Sequence, residues 1–186
     1  MPDLYRVFPF LPQAGAGEPG SALYLPPQGG RRLDNPDLYS VFYGGDRKAG
    51  AVAESFGRFP EWPAAILDGS PALPGSSRAI ARFHLADTAR ICDLDDPAQL
   101  AALGLRPSDI VSRDYARTRN WARRIYQEPG WAGVRWWSYY DPRWTSYGLW
   151  ETGALALADV RVLRLDDAAV GEAARTIARG IVAGSR

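Results

Sequence analysis

The sequence predicts an α+β fold with a largely antiparallel sheet. Three observations carry that expectation. Strand-like runs recur at residues 3–8, 39–43, 78–85, 88–94 and 160–165. Capped segments with a 3.6-residue apolar period lie between and after them. The two kinds of element do not alternate in the regular βαβ order that a parallel sheet requires.

In chain order, Asp3-Leu-Tyr-Arg-Val-Phe8 reads as a short strand. Residues 9–38 are rich in Pro and Gly, with turn signals at Gly17-Glu18-Pro19-Gly20, Pro26-Pro27 and Gly29-Gly30. A loop this long inside a compact chain is more often functional than a linker. Within it, Ala22-Leu-Tyr-Leu25 has the composition of a strand. Tyr39-Ser-Val-Phe-Tyr43 is a β-rich run ending at Gly44-Gly45. A helix follows, with Asp46 as N-cap, Ala49, Val52, Ala53 and Phe56 on its apolar side, and Gly57 near its end.

Residues 60–77 return to loop composition, and Arg78–Leu85 and Thr88–Leu94 read as strands. Asp96-Pro97 opens a short helix to Leu103. A longer helix spans Ser108–Tyr126, with Ile110, Tyr115, Trp121 and Ile125 inward. Trp131–Trp150 holds five of the seven tryptophans and three tyrosines. If extended, it points Arg135, Trp137 and Tyr139 one way and Val134, Trp136, Ser138 and Tyr140 the other. A strand at Val160–Leu165 precedes a last helix, about 167–183, capped by Asp166 or Asp167 and carrying Val170, Ala173, Ala174, Ile177, Ile181 and Val182. No internal repeat divides the chain, so residues 1–186 are expected to form one domain.

Composition narrows the function. At 186 residues, with 46% hydrophobic and 23% charged side chains, a core can form without disulfides or metal. The formal charge of +1 argues against a broad nucleic-acid or anionic-membrane surface. One cysteine excludes an intramolecular disulfide, and one histidine excludes a Cys/His zinc cluster. The 21 arginines against the single Lys48 fit a base-composition bias. Met1-Pro-Asp-Leu-Tyr-Arg6 is not a basic region followed by an apolar one, and no apolar run approaches membrane-spanning length. A cytoplasmic location is expected.

The phosphate-binding glycine signatures of the P-loop and dinucleotide folds are missing. His84 lies in a strand-like run and reads as structural, and Cys92 as a small buried hydrophobe. Three patterns remain. Gly29-Gly30-Arg31-Arg32-Leu33-Asp34-Asn35-Pro36 presents two guanidinium groups beside flexible glycines, suited to gripping phosphate or carboxylate, or simply a solvated loop. Glu54, eleven residues after Tyr43, sits close to the apolar side of its helix, as a boundary residue or a desolvated functional carboxylate. The tryptophan-rich stretch is either core or a stacking platform.

Taken together and in order, these segments resemble the RES-domain family, named for its Arg, Glu and Ser. The resemblance runs from Leu4-Tyr-Arg-Val7 through the arginine loop and Phe42-Tyr43 with Ala49, Ala53 and Glu54. It continues to Gly133-Val-Arg-Trp-Trp-Ser138 and Gly148-Leu-Trp150, covering about residues 3–165. It implies a fold like that of ADP-ribosylating toxins, a twisted, mostly antiparallel sheet with flanking helices around an NAD cleft. It also implies a bacterial toxin that breaks the nicotinamide–ribose bond of NAD and is blocked by an Xre-type antitoxin.

Carried over, the family arginine falls on Arg32, the glutamate on Glu54 and the serine on Ser138, with Arg6 and Tyr43 at further recurrent positions. Arg31, directly after a glycine, rivals Arg32, and Leu33 stands where the family usually has an aromatic residue packing around the nucleotide. In this reading Glu54 stabilises an oxocarbenium-like ribose and Arg6 and Arg32 hold the pyrophosphate. Tyr43 stacks on nicotinamide, and Ser138 bonds the ribose or the carboxamide. NAD is the substrate, with no separate cofactor or metal; water and phosphate both stay open as acceptors.

Two alternatives use the same residues differently. A mono-ADP-ribosyltransferase would modify a macromolecule, with Glu61 as a second carboxylate. A non-enzymatic module would bind through Trp136 or Trp137. The series Arg113, Arg117, Arg119, Arg123 and Arg124 reads as a solvated helix face rather than a nucleic-acid surface. That face or the C-terminal helix could meet an antitoxin or a second copy of the chain, making a homodimer.

Overall fold

A computed structural model describes residues 1–182. Nine strands and five helices build the main body: β1 (Asp3–Phe10), β2 (Phe42–Gly45), α1 (Lys48–Phe56), β3 (Glu61–Pro63), β4 (Asp68–Ser70), β5 (Leu73–Leu85), β6 (Ile91–Asp93), α2 (Pro97–Ala102), α3 (Pro107–Ile110), α4 (Tyr115–Gln127), β7 (Gly133–Trp137), β8 (Thr145–Leu149), β9 (Leu155–Val162) and α5 (Ala168–Thr176). A tenth strand, β10 (Gly180–Val182), follows. The sheet runs β4-β5-β1-β2-β8-β7-β6, with β9 also on β5. Every pairing in it is antiparallel except β6 with β7. The fold is α+β, as expected. No helix among the described residues is long and apolar enough to cross a membrane.

Register determines which side chains share a face, because residues directly opposed in antiparallel strands point the same way. Tyr5 opposes Gly45, Gly45 opposes Ser146, and Ser146 opposes Trp136, so this row lies on one face. Two helical layers cover that face side by side. α1 and α5 bury Val52, Ala53, Phe56, Val170, Ala173 and Ala174 against Ile80, with Tyr5 and Val7 beside them. α4 buries Trp121, Ala122 and Ile125 against Val134 and Trp136. The other face carries Leu4, Phe8, Phe42, Phe83, Tyr147 and Leu149, under residues 22–25.

Several elements differ from expectation. Ala22–Leu25 is loop: it folds as a turn whose side chains cap the far sheet face. β2 begins at Phe42 because Tyr39 serves the preceding loop, its hydroxyl donating to the Leu33 carbonyl at 2.8 Å. Gly44 and Gly45 are the last two residues of the strand, paired with Tyr147 and Ser146. The N-cap of α1 is Arg47; Asp46 instead accepts the Thr145 amide at 2.8 Å, fastening the start of β8. Residues 61–63, 68–70 and 73–77 are strands, not loop. The helix expected over 108–126 is broken at residues 111–114, where Asp114 caps α4 by accepting the Ala116 and Arg117 amides. Tyr115 is exposed rather than inward. β9 starts five residues before the strand expected at 160–165 and ends within it, at Val162.

The helix expected over 167–183 stops at Thr176, and residue 183 lies outside the described residues. Ala178 takes a left-handed φ of 53°, which ends a helix. Arg179 then donates twice to the Gly57 carbonyl, at 3.0 and 2.9 Å, and β10 pairs in parallel with β3. The apparent helical period of Ile181 and Val182 belongs to that strand.

Candidate active site

α1 is built to sit close to the sheet. Ala49, Gly50, Ala51 and Ala53 are small and buried, and a Cβ at Gly50 would stand 3.4 Å from the Trp144 Cβ. Glu54 is one turn after Gly50 and therefore on the side that meets the β7–β8 connection. That connection is held tight: the Ser138 amide donates to the Trp144 carbonyl at 2.7 Å, and the Trp144 amide donates to the Asp141 carbonyl at 3.0 Å.

Ser138, 3% exposed, donates its hydroxyl to Glu54 Oε1 at 2.6 Å and accepts the Tyr140 amide at 3.2 Å. Glu54 is open to solvent on one side and hemmed by protein on the others, as a carboxylate in a cleft wall is. Burial pushes its pKa above the ordinary carboxylate value, and Ser138, the charge of Arg32 and the Ser146 hydroxyl pull it partly back. The carboxylate thus lies at the seam between the two helical layers.

The arginine loop forms the opposite wall, and one buried carboxylate organises it. Asp34, 1% exposed, accepts the amides of Gly29, Gly30 and Arg31 on Oδ2 at 2.9, 3.1 and 2.8 Å. Its Oδ1 accepts the Tyr43 hydroxyl at 2.7 Å. α4 holds the loop from outside: Thr118 donates to the Arg32 carbonyl at 2.7 Å, and Arg119 to the Arg31 and Gly29 carbonyls at 3.1 and 2.5 Å. Arg32 is half-buried and donates to the Ile110 and Ser112 carbonyls, the second at 2.9 Å. Burial lowers its pKa, and the charges of Tyr115 and Glu54 act against that. Arg31 is exposed and stacks over the Tyr43 ring, 5.3 Å from its centroid. Among the described residues, neither Arg31 nor Arg32 has a carboxylate within ion-pair distance.

Comparison with known proteins decides the family. The family model of the RES domain matches residues 3–176. The chain belongs to the RES-domain family. Its structure is also similar to a chain of the M. tuberculosis MbcT–MbcA toxin–antitoxin complex, with a TM-score of 0.60 and 16% sequence identity over 95% of this chain and 88% of that one. At that identity the likeness shows the fold. No curated protein matches the sequence.

In this RES domain the structure brings Glu54, Ser138 and Arg32 to one seam, with Tyr43 behind the arginine loop. Arg6 is not among them. It alternates to the opposite face of β1 from Tyr5, lies 5.1 Å from the Phe42 ring centroid, and donates to the Ala22 and Tyr24 carbonyls at 3.1 and 2.9 Å. Burial, with the nearby charge of Arg31, lowers its pKa to about 10. The buried Ser138 donates its hydroxyl proton to a hydrogen bond with Glu54. Tyr43 likewise spends its hydroxyl on Asp34. Leu33 is fully buried against Gly148 and belongs to the core rather than to a nucleotide surface.

The alternatives fare differently. Glu61 lies in β3, opposite Gly180 of β10. Trp136 and Trp144 are buried, at 7% and 6% exposure, so most of the aromatic stretch is core. The arginine series is more than a solvated face: Arg119 and Arg124 grip carbonyls, while Arg117 and Arg123 pair with Asp109 and Asp37. Cys92 is fully buried, and burial pushes its thiol up to about 12, as expected of an inert residue. His84 bonds Asp3 at 2.7 Å in a central strand.

Sequence reasoning missed four residues of the site. Asp34, three residues after Arg31 and following a glycine pair, carried the turn signal of an Asx residue. Ser146 carried no signal in the sequence, since its place follows from its pairing with Trp136 across the sheet. Thr118 was not singled out on its helix, and Arg119 was read as part of a solvated arginine face.

Proposed function

We propose that this RES domain cleaves the nicotinamide–ribose bond of NAD and acts as a toxin under the control of a protein antitoxin. The observation that carries this reading is the Glu54–Ser138 pair at 2.6 Å, facing Arg32 across the seam. Nicotinamide leaves as a neutral ring with the C–N electron pair, so no strong general acid is needed, and positive charge builds on the ribose. A fixed carboxylate stabilises that charge most in the transition state. Water or phosphate then bonds to the anomeric carbon, and a water nucleophile releases one proton to the solvent. Arg31 and Arg32, free of carboxylate partners, supply the guanidinium forks that suit a pyrophosphate. Arg6 contributes from the other face, by fixing the 22–25 loop.

The antitoxin partner, expected to be of the Xre type, is supported by the structural likeness to a chain of a toxin–antitoxin complex. The deciding experiment mixes purified protein with NAD, with and without inorganic phosphate, and follows products by mass spectrometry. The wild type should release nicotinamide with ADP-ribose or its phosphorylated form, and Glu54→Ala should lose about 10²–10³ in rate. Intact NAD with measurable binding would move the assignment to a transferase, and no binding would refute it.

A further inference from the structure

β9 is an edge strand whose charge pattern is complementary to itself. It pairs with β5 on one side only among the described residues, and six of its eight residues are exposed. Leu157 and Val162 are large apolar side chains at 50% and 44% exposure. An exposed edge presents unpaired amides and carbonyls and is a template for another strand. Asp159 opposes Arg82 within the sheet, yet Arg82 bonds Asp3 at 3.4 Å, and Asp159 has no ion-pair partner among the described residues. Two residues on, Arg161 pairs with Asp167 and is half exposed.

We infer that β9 is a homodimer interface, in which two copies pair antiparallel about a two-fold axis through Val160. A two-fold antiparallel pairing sets residue i against a residue whose number makes a constant sum with i. Centred on Val160, it places Asp159 of each copy opposite Arg161 of the other, and Ala158 opposite Val162. Centred one residue earlier, it sets Asp159 against Asp159, and centred one residue later, Arg161 against Arg161. Axes midway between residues leave both charges facing apolar side chains. Only the Val160 register satisfies Asp159, and it does so twice. The two main sheets join into one across this edge. The occupant is a second copy of the chain because the complementary charge is on the same strand.

The test is the mass in solution together with a charge swap. Light scattering behind size exclusion should give twice the 20.4 kDa chain mass for the wild type at micromolar concentration. Asp159→Arg and Arg161→Asp each set like charges opposite, and each should weaken self-association on the order of tenfold or more. The double variant D159R/R161D should restore it, with circular dichroism confirming that each variant is folded. Val160→Cys should form a reducible disulfide-linked dimer under mild oxidation, because residues opposed at the axis lie within disulfide reach. Leu157→Cys, off the axis, should not, and buried Cys92 stays out of the reaction. A monomer at every concentration overturns the inference. So does a dimer indifferent to the reversals that leaves Val160→Cys unlinked, which would put another surface at the contact.

Discussion

The Tyr43 hydroxyl and the Asp34 carboxylate lie 2.7 Å apart, and the same hydroxyl accepts the Leu33 amide at 3.0 Å. A strand residue and a loop residue are thereby locked on either side of the arginine pair. The consequence is chemical as well as structural. Three amides and a phenol converge on one buried carboxylate, so Asp34 is taken up by the backbone of the loop, and neither Arg31 nor Arg32 is ion-paired to it; Arg32 is held instead by the Ile110 and Ser112 carbonyls.

Asp34→Ala leaves those donors without an acceptor and should cost about 1.5–3 kcal/mol of stability, measured by urea denaturation. It should also raise the KM for NAD more than it lowers kcat, because the loop positions binding groups. Tyr43→Phe removes one donor and should show the same pattern in weaker form. The pH dependence has a definite sign. Burial alone would raise the Asp34 pKa, but the Gly29 and Arg31 amides and the Tyr43 hydroxyl outweigh it and leave it below the reference 3.8. A depressed carboxylate stabilises the fold above 3.8, and that contribution fades as pH falls through the lower folded value. The Asp34→Ala deficit should therefore shrink in strong acid.

Gly148 links the sheet to the same loop. A Cβ there would occupy the space of the Leu33 Cδ1, with the Val41 Cγ1 at 3.4 Å. Gly148→Ala should cost about 1–3 kcal/mol by overpacking, and it should also lower NAD turnover by displacing the residue next to Arg32. Leu33→Ala alone should cost about 2–5 kcal/mol through a cavity. The double variant should cost clearly less than the sum, since each change relieves the other. Additive losses in a double-mutant cycle would disprove the coupling.

These couplings explain what was legible in the sequence. Periodicity exposed α1, α5 and the β7 alternation, because each has a buried face of its own, and the Asp96-Pro97 cap exposed α2. The order of motifs pointed to Glu54, Ser138 and the arginine loop. Short strands such as β3, β4 and β10 were hidden because their pairing, not their composition, makes them strands. Arg6 was misplaced because a motif conveys that a residue recurs but not which face of β1 it uses. Asp34 looked like an ordinary turn residue, since its weight comes from Tyr43, nine residues away in sequence and on another element.

Glu54 should behave as a residue kept at a cost to stability. Burial raises its pKa above the reference 4.5, with Ser138, Arg32 and Ser146 only partly offsetting it. For a carboxylate with a raised folded pKa, the contribution to stability is complete below 4.5 and is lost as pH rises through the folded value. At neutral pH the charged side chain therefore weighs against the fold. Glu54→Gln should raise Tm at neutral pH while abolishing NAD turnover, and the difference from wild type should close below pH 4.5. Ser138→Ala removes a hydrogen bond that favours the charged form, so it should move the acid limb of the kcat/KM profile to higher pH. A change in rate with the limb unmoved would mean that Ser138 acts on substrate directly, and not through Glu54.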